Sequence, residues 1–219
     1  ITLTPIDWRK IRHCFIFHEL DKYFIKTKVI GVIGDGFATA TYLLLKKYKN
    51  IKIISINLNP ILLDDYLVLS KCKLKDNMMD YAKTSKDLNN FLKSKKNILF
   101  VSSANKKILM NKKIDFYFSV FSFNEMERNE INKYIKIIKS SNSFIYSVNP
   151  TKKWTIVNKN KKKHIYHSKI NFKNSKLIFK NGPEWLNKIY SIRDLKKLNF
   201  SGHEYSKMRI IKQEFRKFS

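Results

Sequence analysis

The sequence predicts an α/β chain: a doubly wound, mostly parallel sheet with helices on both faces and a C-terminal appendage. Three observations predict it. Five short apolar runs, at 28–34, 52–56, 97–102, 114–121 and 143–148, are separated by helical patterns. The runs are apolar throughout, as strands buried on both faces must be. The 219 residues are 43% hydrophobic with 5 Gly and 4 Pro, which supplies a core and excludes collagen-like, linker-like and disordered chains.

The elements follow in order. Residues 7–26 carry Ile11, Phe15, Phe17 and Leu20 among charges and read as a helix or two. The run 28–34 is a strand ending in glycines, and 37–48 a helix. The Ile-rich segment 52–56 is a strand. Pro60 suits a first helical turn, so 61–70 is a helix. Strands follow at 97–102 and 114–121. Ile131, Tyr134, Ile135 and Ile138 mark one face of a helix over 129–139, and 143–148 is the fifth strand. Beyond Asn149-Pro150 an Asn/Lys-rich stretch reads as an exposed basic loop, and strand-like alternation returns near 169–179. The expected organisation is an N-terminal helical segment at 1–27, a ligand-binding α/β domain at 28–150, and a basic loop with an appendage on the same domain at 151–219.

Charge points in two directions. The formal net charge is +28, yet only six of the 45 basic residues are Arg. A basic face favours nucleic acid through counterion release. A Lys excess alongside Asn and Ile is also the mark of A/T-rich codons, and Lys lacks the bidentate geometry of Arg. The bland reading, a solvated Lys-rich surface, is preferred. No acidic residue occurs between Glu130 and Glu184, and this stretch is expected to attract an anionic glycan, a lipid-linked phosphate or a membrane face. The expected location is cytoplasmic, with peripheral attachment at the inner membrane face as an option. Cys14 and Cys72 cannot build a disulfide framework or a four-Cys zinc site. The first residue is Ile rather than Met, so a fragment or processed form is expected.

The sharpest local feature is Gly31-Val-Ile-Gly34-Asp35-Gly36-Phe37-Ala38, a glycine turn between strand and helix. Glycines admit close backbone approach, and a helix start offers free N–H groups, so a nucleotide-type cofactor is expected in a Rossmann-like crevice. A dinucleotide fingerprint starting at Gly34 would need its third glycine where Thr39 stands, and an acid where Asn57 ends the second strand. No Gly-Lys-Ser/Thr is present for a triphosphate loop. S-adenosylmethionine remains. It has no pyrophosphate, and Asn57 offers its ribose an amide partner.

Four segments together resemble a known family: Val32-Ile-Gly-Asp-Gly-Phe37; Ile54-Ser-Ile-Asn-Leu-Asn-Pro60 running into Leu63-Asp-Asp-Tyr-Leu67; Asp115-Phe-Tyr-Phe-Ser-Val-Phe-Ser-Phe-Asn-Glu-Met126; and Phe144-Ile-Tyr-Ser-Val-Asn149. Gly182-Pro-Glu-Trp185 and Phe200-Ser-Gly-His203 match more loosely. The chain looks like a sugar O-methyltransferase of the S-adenosylmethionine-dependent, class I Rossmann-like group. It departs from that pattern at Val32 and Asn57, where acids are common, and at Asp35, where another glycine is. The resemblance implies that Gly34, Asp35, Gly36 and Phe37 line the methionine and ribose side, with Asn57 on the ribose and Leu58 nearby. It implies Ser103 and Ala104 beside the adenine. It places Ser122, Asn124 and Glu125 between methyl donor and acceptor.

A sugar hydroxyl needs a base within hydrogen-bond reach. Glu125, between apolar Phe123 and Met126, is the first candidate; its plainer role is to favour a helix start capped by Asn124. His203 is the second. Asn149, Trp185 and Tyr205 are candidate substrate contacts, the aromatics by stacking on sugar rings. No metal is expected, because adjacent Asp64 and Asp65 face different ways on a helix. The leading expectation is therefore methyl transfer from S-adenosylmethionine to a sugar hydroxyl in surface polysaccharide biosynthesis. The alternatives are a nucleic-acid (RNA) methyltransferase, disfavoured by Phe121-Ser-Phe-Asn124 where an Asn/Asp-Pro-Pro-aromatic motif belongs, and a non-catalytic Rossmann-like binding module.

Overall fold

The computed structural model describes residues 8–72, 78–150, 170, 172–181 and 211–218. Two units divide the chain, Ile1–Phe118 and Ser119–Ser219.

The first unit opens with α1 (Trp8–Glu19) and α2 (Asp21–Phe24). Their apolar face packs on aromatic rings: Phe24 lies 4.7 Å from Phe116 and Phe17 lies 5.4 Å from Phe118, centroid to centroid. His13 is buried in the same ring cluster, 5.8 Å from both Phe17 and Phe118. Then β1 (Val29–Ile33), α3 (Thr39–Lys47), β2 (Lys52–Asn57) and α4 (Asn59–Lys71) alternate, with Pro60 in the first turn of α4. After them come β3 (Met79–Ala82), α5 (Ser85–Lys93), β4 (Ile98–Ser102), a 3-10 turn (Ser103–Leu109) and β5 (Phe116–Val120).

Strands β3, β4, β2 and β1 lie in that order and are parallel, with residues 116–118 of β5 on the other side of β1. Every residue of β4 is buried, as are Ile53, Ile54, Ser55 and Ile56 of β2. Continuous burial on both faces explains why these strands read as unbroken apolar runs. The chain steps outward from β1 and then returns to its other side, so the direction of winding reverses there. Ligands of such sheets sit at the carboxyl ends of the strands beside that reversal.

Local chemistry fixes the connections. Asp115 Oδ2 accepts from the backbone N–H groups of Lys28 and Val29 at 2.8 and 2.9 Å, setting the start of β5 against β1. Thr84 and Asp87 form a capping box at the start of α5. Lys52 closes the other end of that helix, donating to the carbonyls of Phe91, Ser94 and Lys96 at 2.9, 2.7 and 2.8 Å. The segment that contributes β3 and α5 has no long apolar run. β3 is a short edge strand, and α5 buries only Leu88 and Phe91.

The second unit contains a 3-10 turn (Phe123–Glu125), α6 (Arg128–Ser140), β6 (Phe144–Pro150), β7 (Ser175–Asn181) and β8 (Ile211–Phe218). The helix buries Ile131, Tyr134, Ile135, Ile137 and Ile138, the face read from the sequence plus one. Its pairing is antiparallel, in the order β6-β8-β7. Phe144 and Phe215 stack across β6 and β8 at 5.4 Å, and buried Glu214 accepts from Arg216 Nε at 2.9 Å. Among the described residues no helix is long and apolar enough to cross a membrane.

Gly31 marks a tight spot. A Cβ built there would lie 2.6 and 2.7 Å from the Tyr117 ring, which is fully buried. Gly31→Ala is therefore expected to cost about 1–3 kcal/mol by overpacking, measured by urea denaturation; an unchanged midpoint would show that this packing has slack.

Candidate functional site

At the carboxyl end of β1 the backbone turns left-handed. Gly34 and Gly36 have φ of 68° and 51°, and Phe37 and Ala38 follow at 63° and 49°. Only glycine adopts this region freely. Gly34 N–H donates to the Ile56 carbonyl at 2.9 Å, tying the turn to β2. A Cβ on Gly36 would meet nothing within 4 Å among the described residues, so the glycine is required there for its backbone, not for packing.

Two carboxylates hold this turn. Asp35 accepts from the N–H groups of Ala40 (2.8 Å, Oδ1) and Thr41 (2.7 Å, Oδ2). It thereby caps α3, whose N-cap residue Ala38 has no side chain able to do so. Asp65, fully buried on α4, accepts from Ala38 N–H at 2.8 Å through Oδ1. Its Oδ2 accepts from Asn57 Nδ2 at 3.3 Å, and Asn57 Oδ1 accepts from Leu58 N–H at 3.0 Å. The helix start was expected to present free N–H groups to a ligand. Instead Ala38, Ala40 and Thr41 give theirs to resident carboxylates.

Burial raises both acids. Asp65 moves from its ordinary 3.8 to about 6, first through desolvation and then through the charge of Asp35, with Asp64 adding to the rise. Asp35 is also raised by desolvation, opposed by its bonds to Thr41 and Ala40 and by the charge of Arg12, a buried residue of α1.

Sheet register brings the next strand ends into line. Ile33 of β1 pairs with Ile56, and Asn57 with Ser102. Gly34, Asn57 and Ser103 thus leave adjacent strands side by side. Ser102 Oγ accepts from Ala104 N–H at 3.3 Å, and the buried Lys106 amine donates to the Ser103 carbonyl at 2.8 Å. Phe37 and Leu58 expose 55% and 61% of their surface beside the turn.

In the second unit, Ser122 is buried and the backbone at Phe121 is left-handed, its N–H donating to the Val148 carbonyl at 2.7 Å. Asn124 and Glu125 form a separate 3-10 turn, and α6 starts only at Arg128 behind Glu127. The reading of Asn124 as helix cap and Glu125 as helix-start acid is corrected: the chain breaks at Met126, which is extended. Desolvation raises the Glu125 carboxyl above its ordinary value. Asn149 is fully buried in β6, and neither atom of its amide has a hydrogen-bond partner among the described residues. His203, Trp185 and Tyr205 lie outside the described residues, as does the 159–163 lysine cluster. Among the described residues no group of three His, Cys, Asp or Glu is placed to hold a metal.

Asp65 and Arg12 were not singled out from the sequence as members of this site. A signal exists for each. Asp65 sits three after Leu62 and four before Leu69, an acid on the buried stripe of α4. Arg12 likewise shares its helix face with buried Ile16 and Leu20.

No protein-family model matches the sequence, and no curated protein matches it. Solved structures do match its fold. The methyltransferase domain of bacterial CtHen1-C superposes with a TM-score of 0.55 at 11% identity, over 97% of this chain and 100% of that one. The mitomycin 7-O-methyltransferase MmcR gives 0.53 at 6% identity, over 96% of this chain and 53% of that one. The pyocyanin biosynthetic protein PhzM gives 0.51 at 7% identity, over 94% and 55%. The chain thus spans about half the length of the last two. At these identities the likeness establishes the fold: the Rossmann-like α/β fold of methyltransferases.

Asn57→Asp would place a second carboxylate where an amide now donates to Asp65 at 3.3 Å. It is expected to cost about 1–3 kcal/mol at pH 7.5 and less at pH 5, where the pair shares a proton; denaturation at the two pH values measures both. In the native protein Asp65 holds its proton up to about pH 6, but only to about 3.8 when unfolded. Its contribution to stability is therefore full below about pH 4 and lost as pH rises through 6. Relative to Asp65→Asn, the wild type should gain stability on acidification from pH 7.5 to 5.

Proposed function

We propose that this chain is an S-adenosylmethionine-dependent O-methyltransferase whose acceptor is the hydroxyl of a sugar. The observation that carries the reading is the glycine turn, where Asp35 and Asp65 already fill the N–H groups of Ala38, Ala40 and Thr41. A pyrophosphate needs those N–H groups free and a local field that favours anions. At Ala38, Ala40 and Thr41 those groups are taken, and two acids stand beside them. The turn suits a cofactor that brings positive charge, an adenosine and no phosphate. The bare backbone at Gly36, the amide of Asn57 and the exposed side chains of Phe37 and Leu58 fit such a group. Gly34 to Phe37 would hold its methionine end, Asn57 its ribose, and Ser103 and Ala104 its adenine. The methyltransferase fold supports the same assignment.

When bound, S-adenosylmethionine supplies a methyl group on sulfonium sulfur that an acceptor oxygen can take, leaving a neutral thioether. The protein's part is to hold the acceptor and receive its hydroxyl proton. Glu125 is the described residue best suited to the second task. It follows β5 on a short turn, and desolvation makes its carboxylate more basic than usual. Asn124 and Asn149 offer amides to sugar hydroxyls. The acceptor is proposed as a sugar of a surface polysaccharide or its precursor. The basic stretch after residue 150 is proposed to attract an anionic or lipid-linked form of it.

Incubating the protein with methyl-labelled S-adenosylmethionine and extracted glycan tests the reading, with RNA as a parallel acceptor. Label is expected in glycan. Label in RNA alone would replace the acceptor class, and label in neither would leave the fold without this activity. Glu125→Gln is expected to lower kcat about 10²–10⁴-fold with cofactor affinity unchanged. The wild-type rate should fall on acidification through the raised Glu125 pKa.

A further inference from the structure

We infer that Asp65 is a positioning residue for the cofactor's ribose, fixing the Asn57 amide in the one orientation that leaves a donor and an acceptor for a vicinal diol. The inference rests on the S-adenosylmethionine reading above and extends it to a residue that does not touch the ligand.

An amide has a donor end and an acceptor end that are nearly the same shape, so its orientation is set by its partners. An ionised carboxylate is acceptor-only. Asp65 therefore demands the Nδ2 end of Asn57, which it receives at 3.3 Å. The opposite end, Oδ1, is then turned to Leu58 N–H, 3.0 Å away. Each contact uses half of that end's capacity. One N–H of Nδ2 and one lone pair of Oδ1 remain, which are complementary to two neighbouring hydroxyls.

The other oxygen of Asp65 is committed to Ala38 N–H at 2.8 Å. The carboxylate cannot rotate to release Asn57 without breaking that bond. One buried side chain thus sets the orientation of Asn57 and fixes the glycine turn at the same time. The charged groups that act on it are Asp35 of the turn, itself opposed by Arg12 of α1, and Asp64 on its own helix. An acid at the end of β2 would reach ribose hydroxyls directly. Here the acid stands one element later, on α4, and acts through the amide.

The test compares S-adenosylhomocysteine with its 2′,3′-dideoxyribose analogue by calorimetry, on wild type and Asp65→Asn. Wild type should prefer the diol by about tenfold or more, the size of one to two net hydrogen bonds. Asp65→Asn replaces an acceptor by a donor at Oδ2, forces Asn57 to flip or lose its partner, and should reduce that preference to about twofold or less. If Asp65→Asn weakens both ligands equally and keeps the preference, the role is structural and the inference is overturned.

A measurement on wild type alone covers the case in which the variant does not fold. Asp65 takes up its proton near pH 6, so the diol preference should shrink at least about threefold between pH 7.5 and 5; a flat ratio overturns the inference. Wild type that binds both ligands equally well also overturns it, with the cofactor reading intact. Wild type that binds neither overturns the cofactor reading, and this inference falls with it.

Discussion

Two carboxylates bonded to one helix start hold the first unit together. Asp35 and Asp65 between them accept from the N–H groups of Ala38, Ala40 and Thr41. Hydrogen bonds of this kind contribute about 0.5–1.5 kcal/mol each. Those gains are opposed by the burial of both acids and by the charge of Asp35, which raises Asp65. Four elements meet at the pair: β1 through the glycine turn, α3 through its cap, β2 through Asn57, and α4 as the carrier of Asp65. Beneath it, Ala38 packs with Leu62, Leu69, Met79, Ile98 and Phe100. The polar lock and the apolar cluster fix the same residue from two sides.

This arrangement underlies the proposed cofactor class. A Rossmann-like turn that binds pyrophosphate leaves its helix N–H groups to the ligand. Here the anion is supplied by the protein. Two carboxylates thus stand at the turn of a chain whose formal net charge is +28. Net charge governs long-range attraction and solubility; the chemistry of a site follows from the few groups within it. A Lys-rich chain and an acid-lined turn are compatible because charges exposed to water are screened within about 8–10 Å at ordinary salt.

Much of the fold was legible in the sequence because parallel strands buried on both faces leave an unambiguous trace. The runs at 29–33, 52–57, 98–102, 116–120 and 144–150 are strands within one or two residues of where their hydropathy places them. The α6 face was legible for the same reason, since Ile131, Tyr134, Ile135 and Ile138 repeat at helical spacing. What escaped is physically different. β3 is an edge strand of mixed polarity, α5 depends on a capping box and on the distant Lys52, and β8 draws its order from antiparallel pairing with β6 and β7. The glycine turn was visible as a motif, but its occupancy was not. Hydrogen-bond partnership between Ala38 and Asp65, 27 residues apart, is a tertiary fact. An acid at the end of β2 was sought at position 57, whereas the structure supplies one from the next helix.

In the proposed function the resident carboxylates select a cationic, phosphate-free adenosine cofactor. The most direct test is a calorimetric titration of the purified chain with S-adenosylmethionine, repeated in the presence of excess ATP or NAD. The account predicts saturable binding of S-adenosylmethionine that neither nucleotide displaces. Displacement by ATP or NAD, or binding of a nucleotide polyphosphate in place of S-adenosylmethionine, would contradict it.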